Sequence, residues 1–179
     1  MALFSSALLV TSDDDLKYYL KPLKKHYKLI NSGEFIMNYN LVLEIPLKEM
    51  RSKKKKGIIL NTLSSDSNIE KGHWVLLLID PYKNCLLIDS LASTYRNNDN
   101  FRKVVNLFCY KHGLKLLLWN VKTQNSNSQS CGFQIIFFLD FFLRKNILGF
   151  KHLEFFFKKY TLFYIEKYIL SKVYKLCRK

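Results

Sequence analysis

The chain has 179 residues and 49% hydrophobic content, ample for a single domain with a real core. Twenty-nine Lys and Arg stand against 14 Asp and Glu, a formal charge of +15. The excess is mostly Lys, which suits point-charge attraction to polyanions and excludes bidentate base reading as its main use; an AT-rich genome would encode the same Lys, Asn, Tyr, Phe and Ile usage.

Cys85, Cys109, Cys131 and Cys177 show no CxxC spacing and no disulfide framework, so an intracellular, reducing compartment is expected. MALFSSALLV lacks a basic n-region and meets SDDD at once, which argues against a signal peptide. GFQIIFFLDFFL, the longest apolar stretch, carries Gln134 and Asp140 and falls short of the roughly 20 apolar residues of a membrane span. A soluble protein is expected.

In chain order, Ser12 followed by DDDLKYYL predicts a helix with a hydroxyl cap and acids in its first turn, ending near Pro22 and KKHYK. Residues 33–57 read as mixed, with a short strand or loop around LVLEIPL. RSKKKKG reads as a solvated loop whose Lys53, Lys54, Lys55 and Lys56 can also touch phosphate. GIILNTL (57–63) predicts a short strand. HWVLLLID (73–80) suits a strand buried on both faces, and a four-residue turn returns the chain as CLLIDSL (85–91), a hairpin. Arg102 to His112 is helical by the spacing of Val104, Val105, Phe108 and Cys109, with Gly113 as its stop. LKLLLWNV (114–121) predicts another strand. A polar loop, 122–130, then delivers Cys131 to a helix reaching about Arg144, and 150–176 makes one or two more helices. No repeat or linker interrupts this order, which predicts one α+β domain.

Cys131 stands at the seam between the polar loop and the apolar helix. A thiolate there gains from the unpaired N–H groups and positive dipole end of the helix, and Gly132 leaves room for a substrate carbonyl. A cysteine in an apolar helix is more often a small core residue. Its partners shift the balance. A thiol nucleophile in acyl transfer wants an imidazole and a carboxylate to orient it. His73 opens one hairpin strand and Asp89 lies toward the end of the other, so the hairpin makes them neighbours. Singly they read as a strand-end histidine and a surface turn acid. Gln124, at the far end of the same loop as Cys131, can aim its amide at a developing oxyanion together with the Cys131 N–H; by itself it reads as a solvated loop residue.

GHW at 72–74, the acid at 89, and Gln124 followed by NSNSQS and Cys131-Gly132 resemble the adenovirus maturation proteases (adenains) and, more distantly, the ubiquitin-like-protein proteases. The order His, acid, Gln, Cys is that of the family, and the Gln-to-Cys spacing of seven looks like the adenovirus branch; cellular SUMO proteases typically use six, with Asp before the Cys. KNCLLID is similar to the adenovirus pattern up to its acid, Glu there and Asp89 here. IILNTL, a loop and GHW are similar to proteases of virophages and polinton-like elements. The resemblance covers about residues 57–145. It implies a papain-like, adenain-like cysteine protease fold: a central mixed sheet packed by helices, with the nucleophile at the N-terminus of a buried helix; the basic helical part at about 150–179 lies beyond the resemblance.

It also implies roles: Cys131 as nucleophile, His73 as general base and acid, Asp89 as its orienter, Gln124 as oxyanion donor. Trp74 would shield the imidazole, or serve as a core aromatic. The function implied is a viral cysteine endopeptidase that cleaves capsid or core precursors at small residues, commonly Gly, in the virion or the infected-cell cytoplasm or virus factory. It would act as a monomer without metal, with activation by DNA or a viral peptide possible. The peptide-tethering cysteine of adenain has no counterpart: His112 and Gly113 stand at that distance. A deubiquitinase, a deSUMOylase or an effector-type acetyltransferase uses the same triad; a basic DNA-packaging protein with a relict triad is the reading from another class.

Overall fold

A computed structural model describes residues 36–51, 54–63, 72–145 and 147–177, together with Leu16, Tyr18, Leu20 and Lys21, which are helical. The cap at Ser12 and the stop at Pro22 lie outside the described residues, as do Lys53 and most of the loop before Gly72. Five strands form one mixed sheet in sequence order: β1 (Ile36–Asn38), β2 (Lys56–Asn61), β3 (Trp74–Ile79), β4 (Asn84–Ile88) and β5 (Lys115–Leu118). β1 runs parallel to β2, β2–β3–β4 is an antiparallel meander, and β4 is parallel to β5.

The six residues of β3 are all buried, as its unbroken apolar run predicts. Side chains alternate across a strand, so Trp74, Leu76 and Leu78 join one core and Val75, Leu77 and Ile79 the other. Helix α3 (Asp99–His112) covers the second face with Phe101, Val105 and Phe108. It starts three residues before the periodicity at Arg102 suggests, because the Asn98 side chain accepts the Phe101 N–H at 2.9 Å and caps it. Gly113 ends it in the left-handed region at φ 62°, as expected. The first face is packed by α4 (Cys131–Arg144), α5 (Ile147–Phe157) and α6 (Leu162–Cys177). Leu16 and Leu20 join that core.

Two expectations are corrected. LVLEIPL is neither a strand nor a plain loop. Tyr39–Glu44 is a 3-10 helix, followed by a short helix α1 (Leu47–Arg51). Tyr39 and Val42 of the 3-10 helix and Ile45 at its C-cap are buried at every third position, the period of a 3-10 turn. RSKKKKG is also no simple solvated loop. Lys54 is exposed, but Lys56 opens β2 and is buried, and Lys55 reaches across to the end of α4. Its ammonium donates to the carbonyls of Phe142 at 2.9 Å, Leu143 at 3.3 Å and Lys145 at 2.6 Å, groups the helix end leaves without partners. Lys55 and Lys56 are thus engaged within the protein, while Lys53 lies outside the described residues.

Candidate active site

His73 immediately precedes β3. Its backbone is fixed against the end of β2: the His73 N–H donates to Thr62 Oγ1 at 3.0 Å, and the Thr62 N–H to the His73 carbonyl at 2.9 Å. Gly72 lies against the Asn61 side chain: a Cβ there would be 1.8 Å from Asn61 Oδ1, which accepts the Leu63 N–H, so a larger residue would have to displace that side chain and its hydrogen bond.

The hairpin register brings the acid to the histidine. Leu76 pairs with Ile88, so Asp89, one residue on, emerges beside the start of β3. His73 Nε2 lies 2.8 Å from Asp89 Oδ1. The carboxylate itself is clamped. Oδ1 accepts the Leu91 N–H at 2.9 Å; Oδ2 accepts the N–H groups of Ser93 at 2.9 Å and Thr94 at 2.7 Å. Ala92, at φ 56°, turns the chain so that these amides converge. Helix α2 (Thr94–Asn97) begins where the clamp ends. Burial would raise the Asp89 pKa, but His73 and the Thr94 amide outweigh it and lower it to about 2. An ionised carboxylate can only accept, so Nε2 carries the hydrogen and Nδ1 is left for the thiol.

Cys131 is the first residue of α4 and is 9% exposed, at the edge of the core. Burial would raise its pKa; hydrogen bonds from His73 and from the Trp74 and Gly132 backbone, with the charge on His73, lower it. On His73, burial works downward, and hydrogen bonds to Asp89 and Cys131 plus both their charges push it up to about 9. The directions agree: each group favours the charged form of the other.

Gln124 is buried, 3% exposed, and no solvated loop residue. Its Oε1 accepts from Ser90 Oγ at 2.6 Å, its Nε2 donates to the Ser128 carbonyl at 2.6 Å, and its backbone N–H donates to the Ser90 carbonyl at 3.1 Å. It therefore ties the chain beyond Asp89 to the loop that delivers Cys131. Trp74 is 3% exposed and packs in the core between sheet and α4; its indole is a core aromatic, and its contribution to the site is the backbone N–H on the sulfur. Gly132 is buried in the first turn of α4, its N–H also on the sulfur.

Residue chemistry, the hairpin and the family resemblance together pointed to His73, Asp89, Gln124 and Cys131, and the structure places His73 beside Asp89 and Cys131. Sequence reasoning missed Thr62, Ser90 and the amides that hold Asp89. The serine in the IDS triplet was a weak signal for Ser90; Thr62 and the amides left none. Among the described residues, no group of His, Cys, Asp or Glu is placed to hold a metal, and no helix is long and apolar enough to cross a membrane.

The sheet, its hairpin and the helix α4 that begins at Cys131 together make an α+β fold of the papain-like, adenain-like cysteine protease kind. A solved structure of that architecture, ChlaDub1 from Chlamydia trachomatis, superposes with a TM-score of 0.59 at 13% identity, over 100% of this chain and 96% of that one. No protein-family model and no curated protein sequence matches the chain.

Proposed function

We propose that this chain is a cysteine hydrolase that cleaves peptide bonds through Cys131, His73 and Asp89. The observation that carries the reading is the Cys131 thiol at a helix start facing an imidazole whose other nitrogen lies 2.8 Å from a buried carboxylate. The thiolate attacks the scissile carbonyl. The oxyanion that develops is met by the Cys131 N–H and by the second amide hydrogen of Gln124, the first being given to Ser128. His73 as imidazolium protonates the leaving amine. It then takes a proton from the water that hydrolyses the thioester.

As substrates we propose viral capsid or core precursors, cut beside small residues. The seven-residue spacing from Gln124 to Cys131 and Ser130 before the nucleophile support this reading. A ubiquitin-like-protein hydrolase is the second reading, favoured by the likeness to ChlaDub1, whose name marks it as a deubiquitinase, over nearly the full length of both chains. Purified enzyme and its Cys131→Ala variant would be offered capsid precursors encoded beside its gene, ubiquitin and SUMO conjugates, and Gly-Gly peptides, with products read by mass spectrometry. Cysteine-dependent cuts in the precursors support the first reading, and cleavage of conjugates alone supports the second. Wild-type enzyme that cuts none of them contradicts both.

A further inference from the structure

Ser130 occupies the cap position of α4, where a serine ordinarily turns its hydroxyl onto first-turn amides. It makes no such bond. Its φ of −86° and ψ of 5° are not those of an extended cap residue, and its hydroxyl donates instead to Glu166 Oε1, 36 residues on in α6. Ser130 is 6% exposed, so the bond is shielded from water. Glu166 is held there by packing: its neighbour Ile165, with Ile169 and Val173, forms a stripe at helical spacing buried against α4.

A hydroxyl cap on α4 would compete with the reaction centre. Cys131 and its oxyanion draw on the positive end of the same helix, and the Gly132 N–H already serves the sulfur. We infer that Glu166 is a positioning residue for the nucleophile: by taking the Ser130 hydroxyl, it keeps that hydroxyl off the first turn of α4 and leaves the helix end to the thiolate. It acts through Ser130 and touches no substrate. The role deepens the cysteine-hydrolase reading, and it is testable without a substrate.

The experiment compares Glu166→Gln with Glu166→Met, both by the pH dependence of Cys131 alkylation by iodoacetamide. Both variants remove the carboxylate charge and nearly conserve volume; only Gln keeps an oxygen for the Ser130 hydroxyl. In the Met variant the acid limb should lie at higher pH than in the Gln variant. On that limb its rate should be roughly fivefold slower, the size of one capping interaction. In a Ser130→Ala background the difference between Met and Gln should vanish. Equal limbs in the two variants, or a difference that survives Ser130→Ala, would overturn the inference. A Met variant that does not fold leaves the same comparison to Glu166→Leu. Alkylation needs no peptide, so protein inactive on every peptide yet showing the Ser130-dependent difference would sink the peptidase reading and leave this one standing.

Discussion

Asp89 accepts four hydrogen bonds, from His73 Nε2 and the amides of Leu91, Ser93 and Thr94. An asparagine there must turn an NH₂ toward donors on one side. Asp89→Asn therefore does two things at once. It removes the charge that raises the His73 pKa, moving the basic limb of turnover below about 9 while leaving detectable activity. It also sets a buried donor against donors, a cost of about 1–3 kcal/mol in stability, read by denaturant unfolding. The sign of the wild-type contribution follows from the shift from 3.8 to about 2: it is fully present above the ordinary carboxylate range and is lost as pH falls from about 4 to about 2. Wild-type turnover should itself decline as pH rises through about 9, where His73 loses the proton the leaving amine needs. Alkylation of Cys131 should not decline there, because the thiolate remains. Gln124→Ala should lower kcat on the order of 10²-fold with little change in KM, as for losing one oxyanion donor. It should also lower the unfolding midpoint, because the Ser90 hydroxyl loses its buried acceptor. Normal kcat in Gln124→Ala with a crippled Asn125→Ala would transfer the donor role to Asn125.

Elements were legible where burial is two-sided or strictly periodic. β3 shows an unbroken apolar run because both of its faces are covered, and from it the hairpin, and with it the His73–Asp89 pairing, could be placed. The 3-10 turn at Tyr39–Glu44 was not legible, since the short mixed segment YNLVLE looks like an irregular strand or loop until its partners are known. The lysine run failed for a different reason. Charge predicts solvation locally, whereas Lys55 finds its acceptors 87 to 90 residues away at the end of α4. That distance leaves no trace in a window of sequence. Lys55→Ala should destabilise the protein by about 1 kcal/mol, since a cation at a helix C-terminus satisfies carbonyls and the dipole together. Thermal unfolding of Lys55→Ala beside Lys54→Ala checks this: the exposed Lys54 should matter much less.

Across the whole molecule, the resemblance ended near residue 145, yet the helices beyond it belong to the same core. Phe150, Phe157, Ile165, Ile169 and Val173 are all buried with Phe138, Phe142 and the sheet. A chain cut at residue 160 should therefore fail to fold cooperatively, although it keeps His73, Asp89, Gln124 and Cys131. Near-UV circular dichroism and limited proteolysis would read this, and a stable, protease-resistant 1–160 fragment would show the C-terminal helix to be dispensable. The same packing explains why Glu166 was invisible in the sequence: nothing local links position 166 to 130, and only the shared core brings α6 to the start of α4.

The central claim is that Cys131 exists as a thiolate facing the His73 imidazolium. Competitive labelling at neutral pH with limiting iodoacetamide, each cysteine quantified by mass spectrometry, tests it most directly. Cys85, Cys109 and Cys131 are all buried free thiols, but of the three it is Cys131 that has the His73 imidazole against it, so Cys131 should take the label first in wild-type protein and should lose that lead in His73→Ala. Label arriving first on Cys85 or Cys109, or a Cys131 rate indifferent to His73→Ala, would contradict the account.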